Sequence, residues 1–223
     1  MAETALAFIL HFFRGLDFAV RAQRRHLWDV AAFENSNGLV RELDGATLGI
    51  LGYGGIGREI ARRAAALGMR VLALRRQPHP EDVALVLAGD GALERILSES
   101  DVVVVTMPST TRTRGSIGAR ELALMRPDAV LVNLARGDII DHDALLDALR
   151  AHRLRGAALD VFPVEPLPDD SPFWSLDNVL ITPHASATTT RFWERETALM
   201  LDNLHRYLTA QPLRNVVDPR AGY

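Results

Sequence analysis

The chain has 223 residues, of which 48% are hydrophobic and 24% are charged, so it is long enough for one large or two small globular domains. Its net charge of −3 gives no general attraction to nucleic acid or to membranes, and the absence of cysteine excludes disulfides and thiolate metal sites. We expect no nucleic-acid partner, no membrane span, no metal and, because Glu3 stands where a signal peptide would be basic, a cytoplasmic location.

The first predicted element is a helix over residues 2–25, in which apolar residues recur at roughly helical spacing. Residues 28–45 follow as an irregular arm whose Asn, Ser and Gly residues are typical of an exposed loop. Trp28 in this arm has two interpretations: a packing anchor against a partner subunit, or a residue at the rim of the fold.

The stretch from Thr47 to Arg76 predicts a strand, a glycine-rich turn, a helix and a second strand. The glycines of its G-x-G-x-x-G pattern are Gly52, Gly54 and Gly57. In a dinucleotide-binding unit the first glycine allows the tight turn, the second lets the backbone touch the pyrophosphate, and the third lets the helix pack on the strand. The N–H groups at the helix start face the phosphates. A glycine-rich turn in another α/β protein is the alternative, but the whole unit favours a dinucleotide site.

The end of the second predicted strand carries Arg75 and Arg76, where an NAD-binding unit usually has an acidic residue for the ribose 2′-hydroxyl. A guanidinium does not accept those hydrogen bonds, but it pairs well with a phosphate. We therefore expect NADP to be preferred over NAD. The alternative is a pair of solvated arginines at a surface turn.

Beyond Arg76, a proline-containing loop over residues 77–80 and a weakly patterned region to Gly91 precede the next elements. The predicted helices then cover residues 92–98, 121–125, 143–150 and 188–208, and the predicted strands cover residues 101–106, 129–133, 156–160 and 179–182. This alternation predicts an α/β fold: a Rossmann-type doubly wound parallel sheet with flanking N- and C-terminal helices.

Several chemically active side chains directly follow predicted strands, namely Thr106, Arg136, Asp160, Glu165 and His184. The carboxyl ends of parallel strands meet at one edge of a sheet, where ligands bind. Arg136 suits either a carboxylate clamp or hydrogen bonds to its own loop, and His184 suits proton transfer near neutral pH. Glu165 is either a solvated loop charge or a partner that favours the charged form of His184. Asp160 either caps a loop or receives the nicotinamide carboxamide. Together they suggest hydride transfer with acid–base help.

The chain resembles the D-isomer-specific 2-hydroxyacid dehydrogenases over essentially its whole length, through GYGGIG at 52–57, NLARGDIID at 133–141, ALDVFPVEP at 158–166 and TPHAS at 182–186. The resemblance implies that Arg136 holds the substrate's carboxylate and carbonyl, that Glu165 is the partner of the catalytic histidine, and that His184 is the general acid. The implied cofactor contacts are Gly55, Ile56, Arg75, Met107, Leu134, Ala135, Arg136, Asp160 and Ser186. They add to the cofactor contacts expected of Gly52, Gly54, Gly57, Arg76, Thr106 and His184. The tail and Leu74–Arg76 are similar to the glyoxylate/hydroxypyruvate reductase branch, several of whose members use NADP.

The chain differs from this family in length, because family members usually carry a substrate-binding domain that begins upstream of the part that this chain matches. We therefore expect a member that lacks most of that domain, through natural truncation or a start assigned too far downstream. The expected parts are a linker helix at 1–25, a dinucleotide-binding domain at 26–185 and, at 186–223, a C-terminal helix and tail that in the family return to the substrate domain. The helices at 2–25 and 188–208 are expected to lose apolar cover and to favour self-association.

These observations predict an NAD(P)-dependent dehydrogenase that reduces a small 2-ketoacid, such as glyoxylate or hydroxypyruvate, to the D-2-hydroxyacid. A homodimer is expected, since the family's dimer contacts involve the arm near Trp28. Turnover by this chain alone is expected to be poor, because an open cleft admits water and misplaces the substrate. The alternative is a non-catalytic nucleotide-binding fragment, or an NAD(P)(H)-sensing module similar to the co-repressors that resemble this family.

Overall fold

The computed structural model describes residues 1–76 and 83–218, so the predicted loop at 77–80, with His79, and the last five residues of the tail lie outside the described residues. Its strands are β1 Thr47–Leu51, β2 Arg70–Leu74, β3 Leu85–Leu87, β4 Val102–Val105, β5 Val130–Asn133, β6 Gly156–Leu159 and β7 Val179–Ile181. They form one parallel sheet in the order β3-β2-β1-β4-β5-β6-β7. The doubly wound α/β fold is confirmed.

The α-helices of the described residues are α1 Ala2–Phe13, α2 Leu16–Arg24, α3 Ala31–Glu34, α4 Gly55–Ala66, α5 Ala92–Glu99, α6 Ala119–Leu124, α7 His142–Arg150 and α8 Phe192–Leu208. Two short 3-10 helices lie at Gly137–Ile139 and Pro172–Ser175. Within the two described ranges, no helix combines the length and the apolar character that crossing a bilayer requires.

The core consists of two apolar layers, one on each face of the sheet. Strands β1, β4, β5 and β6 are buried along their whole length, because helices cover both faces. Alternate strand residues point to opposite faces. One set packs with α5, α6 and α7, and the other packs with α1 and α4.

The N-terminal segment corrects the sequence prediction, because the helix expected over residues 2–25 is two helices. Gly15 breaks it with a φ of 65°, a conformation in which a Cβ would lie 2.9 Å from Val40 Cγ2. The apolar face of α1 is also buried, which contradicts the expected loss of cover for this part, whereas Leu16 and Val20 of α2 are exposed as expected. Helix α1 packs on the sheet face that α4 also covers.

Smaller differences concern elements too short or too weakly patterned to predict. The arm at 28–45 contains the one-turn helix α3, and the weak region before Gly91 contains the edge strand β3. Helix α8 begins at Phe192 rather than near residue 188. Its expected loss of apolar cover is confirmed, because all seventeen of its residues are described and none is buried.

Candidate active site

The ends of five strands lie side by side and bring the predicted residues to one edge of the sheet. Leu51 pairs with Val105, Val105 with Asn133, Asn133 with Leu159, and Leu159 with Ile181. The loops that carry the glycine turn, Thr106, Arg136, Asp160 and His184 all leave from this row. The strand order also reverses between β1 and β4, where doubly wound folds bind dinucleotides.

The glycine turn requires two of its glycines for close packing of the chain on itself. Gly52 has a φ of 107°, and a Cβ there would lie 2.4 Å from the Met107 backbone nitrogen. A Cβ at Gly57 would lie 2.4 Å from the Gly52 carbonyl oxygen, so the third glycine lets α4 approach the turn. The Thr106 hydroxyl donates to the same Gly52 oxygen at 2.6 Å and fixes the turn from the neighbouring strand.

The middle of the glycine turn is open, whereas Gly52 and Gly57 at its two ends pack closely against other parts of the chain. Gly54 and Gly55 are exposed, and beyond the adjoining backbone no described atom lies within 4 Å of the position that a Cβ would occupy on either residue. Helix α4 starts here without a side-chain cap for its first N–H groups, and Ile56 in its first turn is exposed. This arrangement fits the pyrophosphate of a dinucleotide, which needs close backbone approach and free N–H donors.

Arg75 follows β2 and is held there by its backbone N–H, which donates to the Leu87 carbonyl of β3. Its guanidinium nitrogen Nη1 is buried and has no hydrogen-bond partner among the described residues. A buried donor without an acceptor is costly, and a phosphate oxygen is a suitable acceptor. Arg76 is exposed beside it. The residues present therefore fit the 2′-phosphate of NADP.

His184 and Glu165 form a direct pair, with Nδ1 and Oε2 2.8 Å apart. Because an ionised carboxylate only accepts, Nδ1 is the donor, and Nε2 is left for a substrate. The second oxygen of Glu165 accepts from the Phe162 backbone N–H at 2.9 Å. Burial alone would raise the pKa of Glu165, but the hydrogen bonds from His184 and Phe162, with the charge of Arg136, lower it below its usual value. Glu165 is therefore a charged partner of His184, with 37% of its side chain still exposed.

Asp160 holds the turn that carries the histidine. Its side chain is buried, and it accepts the Ala185 N–H at 2.9 Å, the Ser186 N–H at 3.1 Å and the Thr182 hydroxyl. Its own carbonyl accepts the His184 N–H at 2.8 Å, while His184 has a φ of 53°. Of the two interpretations, the loop cap is thus observed, and the nicotinamide contact stays a prediction.

Arg136 is exposed, and its Nη1 donates to the Ala135 carbonyl at 2.7 Å. The contact with its own loop is therefore present, and the clamp on a substrate carboxylate stays a prediction. The side chain of Asn133 shapes this loop, since it donates to the Arg136 carbonyl and accepts from the Ala135 N–H, both at 3.0 Å. Asn133 was missed as a functional residue, although a polar residue ending a buried apolar strand is a visible signal.

Gly137 was also not predicted as a functional residue. It lies where the loop that carries Arg136 contacts the loop that carries Glu165. A Cβ at Gly137 would lie 2.0 Å from the Phe162 carbonyl carbon and 2.3 Å from the Pro163 nitrogen. The two backbones therefore touch next to Arg136 and Glu165. Among the remaining predicted cofactor residues, Met107, Leu134, Ala135 and Ser186 are buried beneath the site, and their cofactor contacts stay predictions.

A cavity of about 610 Å³ opens at the histidine pair, with Phe162, Leu167, Trp174 and Ile181 as apolar walls and Asp160, Glu165 and His184 as polar groups. Few convergent polar groups in an apolar cavity are typical of a small-molecule site. The described residues contain no cluster of His, Asp and Glu suited to a metal. The arrangement therefore supports proton transfer beside a bound nucleotide.

Comparison with known proteins agrees with this geometry. The family model for the NAD binding domain of D-isomer specific 2-hydroxyacid dehydrogenases matches residues 6–186. A glyoxylate reductase of Thermococcus gammatolerans is 43% identical over 166 residues, which are 74% of this chain and 49% of that protein. A D-3-phosphoglycerate dehydrogenase of Methanocaldococcus jannaschii is 34% identical over 98% of this chain and 41% of its own length. The chain thus spans at most about half the length of these two relatives.

Among solved structures, a D-isomer specific 2-hydroxyacid dehydrogenase from Xanthobacter autotrophicus Py2, in complex with NADPH and MES, superposes with a TM-score of 0.88. It is 35% identical, and the match covers 100% of this chain and 88% of that one. The shared fold therefore extends over every element of the sheet and its flanking helices.

Proposed function

The chain belongs to the D-isomer specific 2-hydroxyacid dehydrogenase family, matching its NAD-binding domain over residues 6–186, and we propose that it serves as an NADP-preferring reductase of small 2-ketoacids. The observation that carries the proposal is the His184–Glu165 pair, with Nδ1 and Oε2 2.8 Å apart, at the sheet edge that holds the glycine turn. A charged Glu165 accepts from Nδ1 and so holds the ring in the orientation that leaves Nε2 available for proton transfer.

In the proposed reaction, reduced nicotinamide, when bound, supplies the hydride that reaches the carbonyl carbon. His184 donates its Nε2 proton to the carbonyl oxygen, which becomes the hydroxyl of the 2-hydroxyacid. Arg136 pairs with the substrate carboxylate and offsets the negative charge that grows on the oxygen. Glu165 stays ionised and stabilises the imidazolium before the proton leaves. Asp160 takes no proton and keeps the histidine turn in place through the hydrogen bonds described above.

The preference for NADP rests on Arg75, whose buried Nη1 has no partner among the described residues. The Xanthobacter neighbour contains NADPH, which supports the same class of cofactor. NAD remains the alternative cofactor, because the glycine turn recognises the pyrophosphate that both dinucleotides share.

The proposed substrate class rests on Arg136 and His184. Together they suit a molecule that carries a carboxylate next to a carbonyl. The Thermococcus relative is a glyoxylate reductase, which supports glyoxylate or hydroxypyruvate as the substrate. The product assigned by the family is the D-2-hydroxyacid. A cytoplasmic location stays a prediction from the sequence.

We further propose the division into a linker segment at 1–25 that contains α1 and α2, a dinucleotide-binding domain at 26–185 and a C-terminal segment at 186–223 that serves other contacts. The exposed apolar face of α8 supports the last part. Trp28, at 95% exposure on the arm, supports a homodimer through that arm. Both proposals predict contacts that the isolated chain leaves open to solvent.

The test is NADPH oxidation followed by absorbance, with glyoxylate, hydroxypyruvate and pyruvate offered to the 223-residue chain and NADH run in parallel. His184→Ala is expected to lower the rate by roughly 10²–10⁴, the usual contribution of a general acid. His205→Ala, which changes an exposed histidine of α8, is the matched control and is expected to keep the parent rate. Full activity in His184→Ala would overturn the assignment.

A second candidate function is a nucleotide-dependent binding module, and the uncovered face of α8 favours it. In that case the chain binds NADP(H) but reduces none of the three ketoacids. A titration of NADPH fluorescence in the same samples measures cofactor binding separately from turnover. Binding with no detectable turnover supports the second function, whereas slow turnover that His184→Ala abolishes supports the first.

A further inference from the structure

Helix α1 contacts the turn that carries His184, although it lies far from that turn along the chain. The hydroxyl of Thr4, in the first turn of α1, donates to the Ser186 carbonyl at 3.0 Å across 182 residues. The distance is that of an ordinary hydrogen bond between a hydroxyl and a carbonyl. Ser186 is 6% exposed and lies two residues beyond His184. The contact therefore ends on the segment that carries the proposed proton donor.

The backbone of His184 is in a conformation that needs support from its surroundings. Its φ of 53° lies in the left-handed region, which residues other than glycine adopt infrequently. Such residues persist where contacts from several directions hold them. Nearly half of the side chain, 48%, is exposed, so packing alone does not fix the imidazole. The orientation of the ring therefore depends on the hydrogen bonds of its turn and of Glu165.

Two elements hold the residues that follow His184. Asp160, which follows β6, accepts the N–H groups of Ala185 and Ser186 at 2.9 and 3.1 Å. Thr4 supplies the complementary contact, because it donates to the Ser186 carbonyl, a group that a carboxylate cannot satisfy. The segment is thus fixed to the sheet through its N–H groups and to a helix through a carbonyl.

Helix α1 is a firm support for this contact. Ala5, directly after Thr4, and Ile9 are 0% exposed, and Phe8 is 4% exposed. The helix packs on α4, which begins at the glycine turn, and on β5, which precedes the loop that carries Arg136. A group held by a packed helix is placed more precisely than one held by a loop. Helix α1 therefore connects the histidine turn to the elements that lead to the proposed cofactor and substrate contacts.

We propose that Thr4 is a positioning residue for His184: by holding the Ser186 carbonyl, its hydroxyl keeps the imidazole aligned with the bound substrate. Without the hydroxyl, the carbonyl of a buried residue loses its donor, and the turn shifts toward another donor or water. A misplaced acid still carries its proton but transfers it more slowly. The effect on the rate rests on the proposed function, whereas the hold on the turn does not.

The experiment compares the parent chain with Thr4→Val, which keeps the shape of the side chain and removes the hydroxyl, in the NADPH assay with glyoxylate. We expect kcat to fall roughly tenfold, while KM for glyoxylate and the dissociation constant of NADPH stay within about twofold. Thr4→Ser restores the hydroxyl and should recover most of the parent rate. This rescue distinguishes positioning through the hydroxyl from a general loss of packing in α1.

Thr209→Val is the matched control, because the Thr209 hydroxyl also donates to a backbone carbonyl, that of His205, at 2.8 Å and at the exposed end of α8. It should keep the parent kcat. The imidazole NMR signals of His184, identified by their loss in His184→Ala, give a second measurement that does not depend on turnover. They should shift in Thr4→Val and stay in place in Thr4→Ser and Thr209→Val.

The proposal requires a lowered kcat together with shifted His184 signals in Thr4→Val, and either change without the other overturns it. A loss that Thr4→Ser or Thr209→Val shares overturns it as well. Thr4→Ala removes the same hydroxyl with less bulk and takes the place of Thr4→Val if that variant does not fold. A parent chain without turnover, or full activity in His184→Ala, contradicts the proposed function, while the His184 signals still decide whether Thr4 holds the turn.

Discussion

Helices α1 and α8 both have an apolar face, but only the apolar face of α1 is buried. Helix α1 buries Ala5, Phe8, Ile9, Phe12 and Phe13, whereas all seventeen residues of α8 are described and none is buried. The exposed apolar residues of α8 include Trp193, Met200, Leu201, Leu204 and Leu208. A similar pattern along the chain therefore does not decide which helix belongs to the core.

The difference comes from what lies opposite each apolar face. Helix α1 packs on α4 and β5, and its Thr4 hydroxyl donates to the Ser186 carbonyl at 3.0 Å, next to the histidine turn. Helix α8 is held instead by its own tail, where Asn203 exchanges two hydrogen bonds with the Arg214 backbone. Helix α1 is thus packed against the sheet and α4, whereas the hydrogen bonds that hold α8 come from its own tail.

The strongest test of this contrast is Phe12→Ala, because Phe12 is 1% exposed and its ring fits against the space that Gly156 leaves open. We expect a loss of about 3–5 kcal/mol in the free energy of unfolding, typical of a large-to-small change in a core. Leu204→Ala on α8 is the matched control, with an expected change within about 0.5 kcal/mol. Urea unfolding of both variants measures the difference, and equal losses would contradict the contrast.

Arg155→Met tests how α2 is fixed to the same domain. Arg155 Nη2 lies 2.8 and 2.7 Å from the two oxygens of Asp17, and both side chains are buried. Breaking a buried pair costs roughly 3–5 kcal/mol, but Arg21 still approaches Asp17 at 3.4 Å, so we expect about 2 kcal/mol. The exposed Arg195→Met on α8 serves as the control and should unfold like the parent. A loss no greater than that of the control would show that the pair does not hold α2.

The contrast also shows which parts of the fold a sequence can predict. The glycine turn and the buried strands were predicted because their signals are contiguous: a compact glycine motif and short runs of apolar residues. The burial of α1 and the break at Gly15 were not, because both depend on residues distant in sequence, such as Val40 and the sheet face.

The candidate site divides in the same way. The approach of Glu165 and His184 could be predicted, because parallel strands place their carboxyl ends together. The contact between Gly137 and Phe162 could not be predicted, because a backbone contact leaves no periodic trace. For Asp160 the loop cap was one of two interpretations, and only the hydrogen bonds of the structure show it. The resemblance supplied roles for Arg136 and Glu165 that spacing alone left open.

A third prediction concerns how the free energy of unfolding depends on pH, and it again distinguishes α1 from α8. Burial lowers the pKa of His11 on α1, with Arg155 and Arg21 acting in the same direction against Asp17, and burial lowers that of His142 as well. The unfolded chain therefore binds more protons below about pH 6.5, so stability falls as the pH drops through that value, by at most about 1.4 kcal/mol per pH unit for each histidine.

Urea unfolding between about pH 7 and pH 5 measures this slope. His11→Phe and His142→Phe should each flatten it, whereas Leu204→Ala on α8 removes no titratable group and should keep the slope of the parent. A slope that neither histidine variant changes would contradict the assignment.

The smallest effect on folding, and the most direct test of α8, is expected from the double variant Leu201→Asn and Leu204→Asn. Both leucines are more than half exposed, so their replacement should change the free energy of unfolding by less than about 0.5 kcal/mol. Self-association should change more, because contacts that cover the exposed apolar residues of α8 are favourable in water. Each leucine contributes roughly 1.5–3 kcal/mol when fully buried, so the variant should associate at least tenfold more weakly in sedimentation experiments. Unchanged association, with unchanged stability, would mean that α8 is not the contact surface and would point to the arm around Trp28.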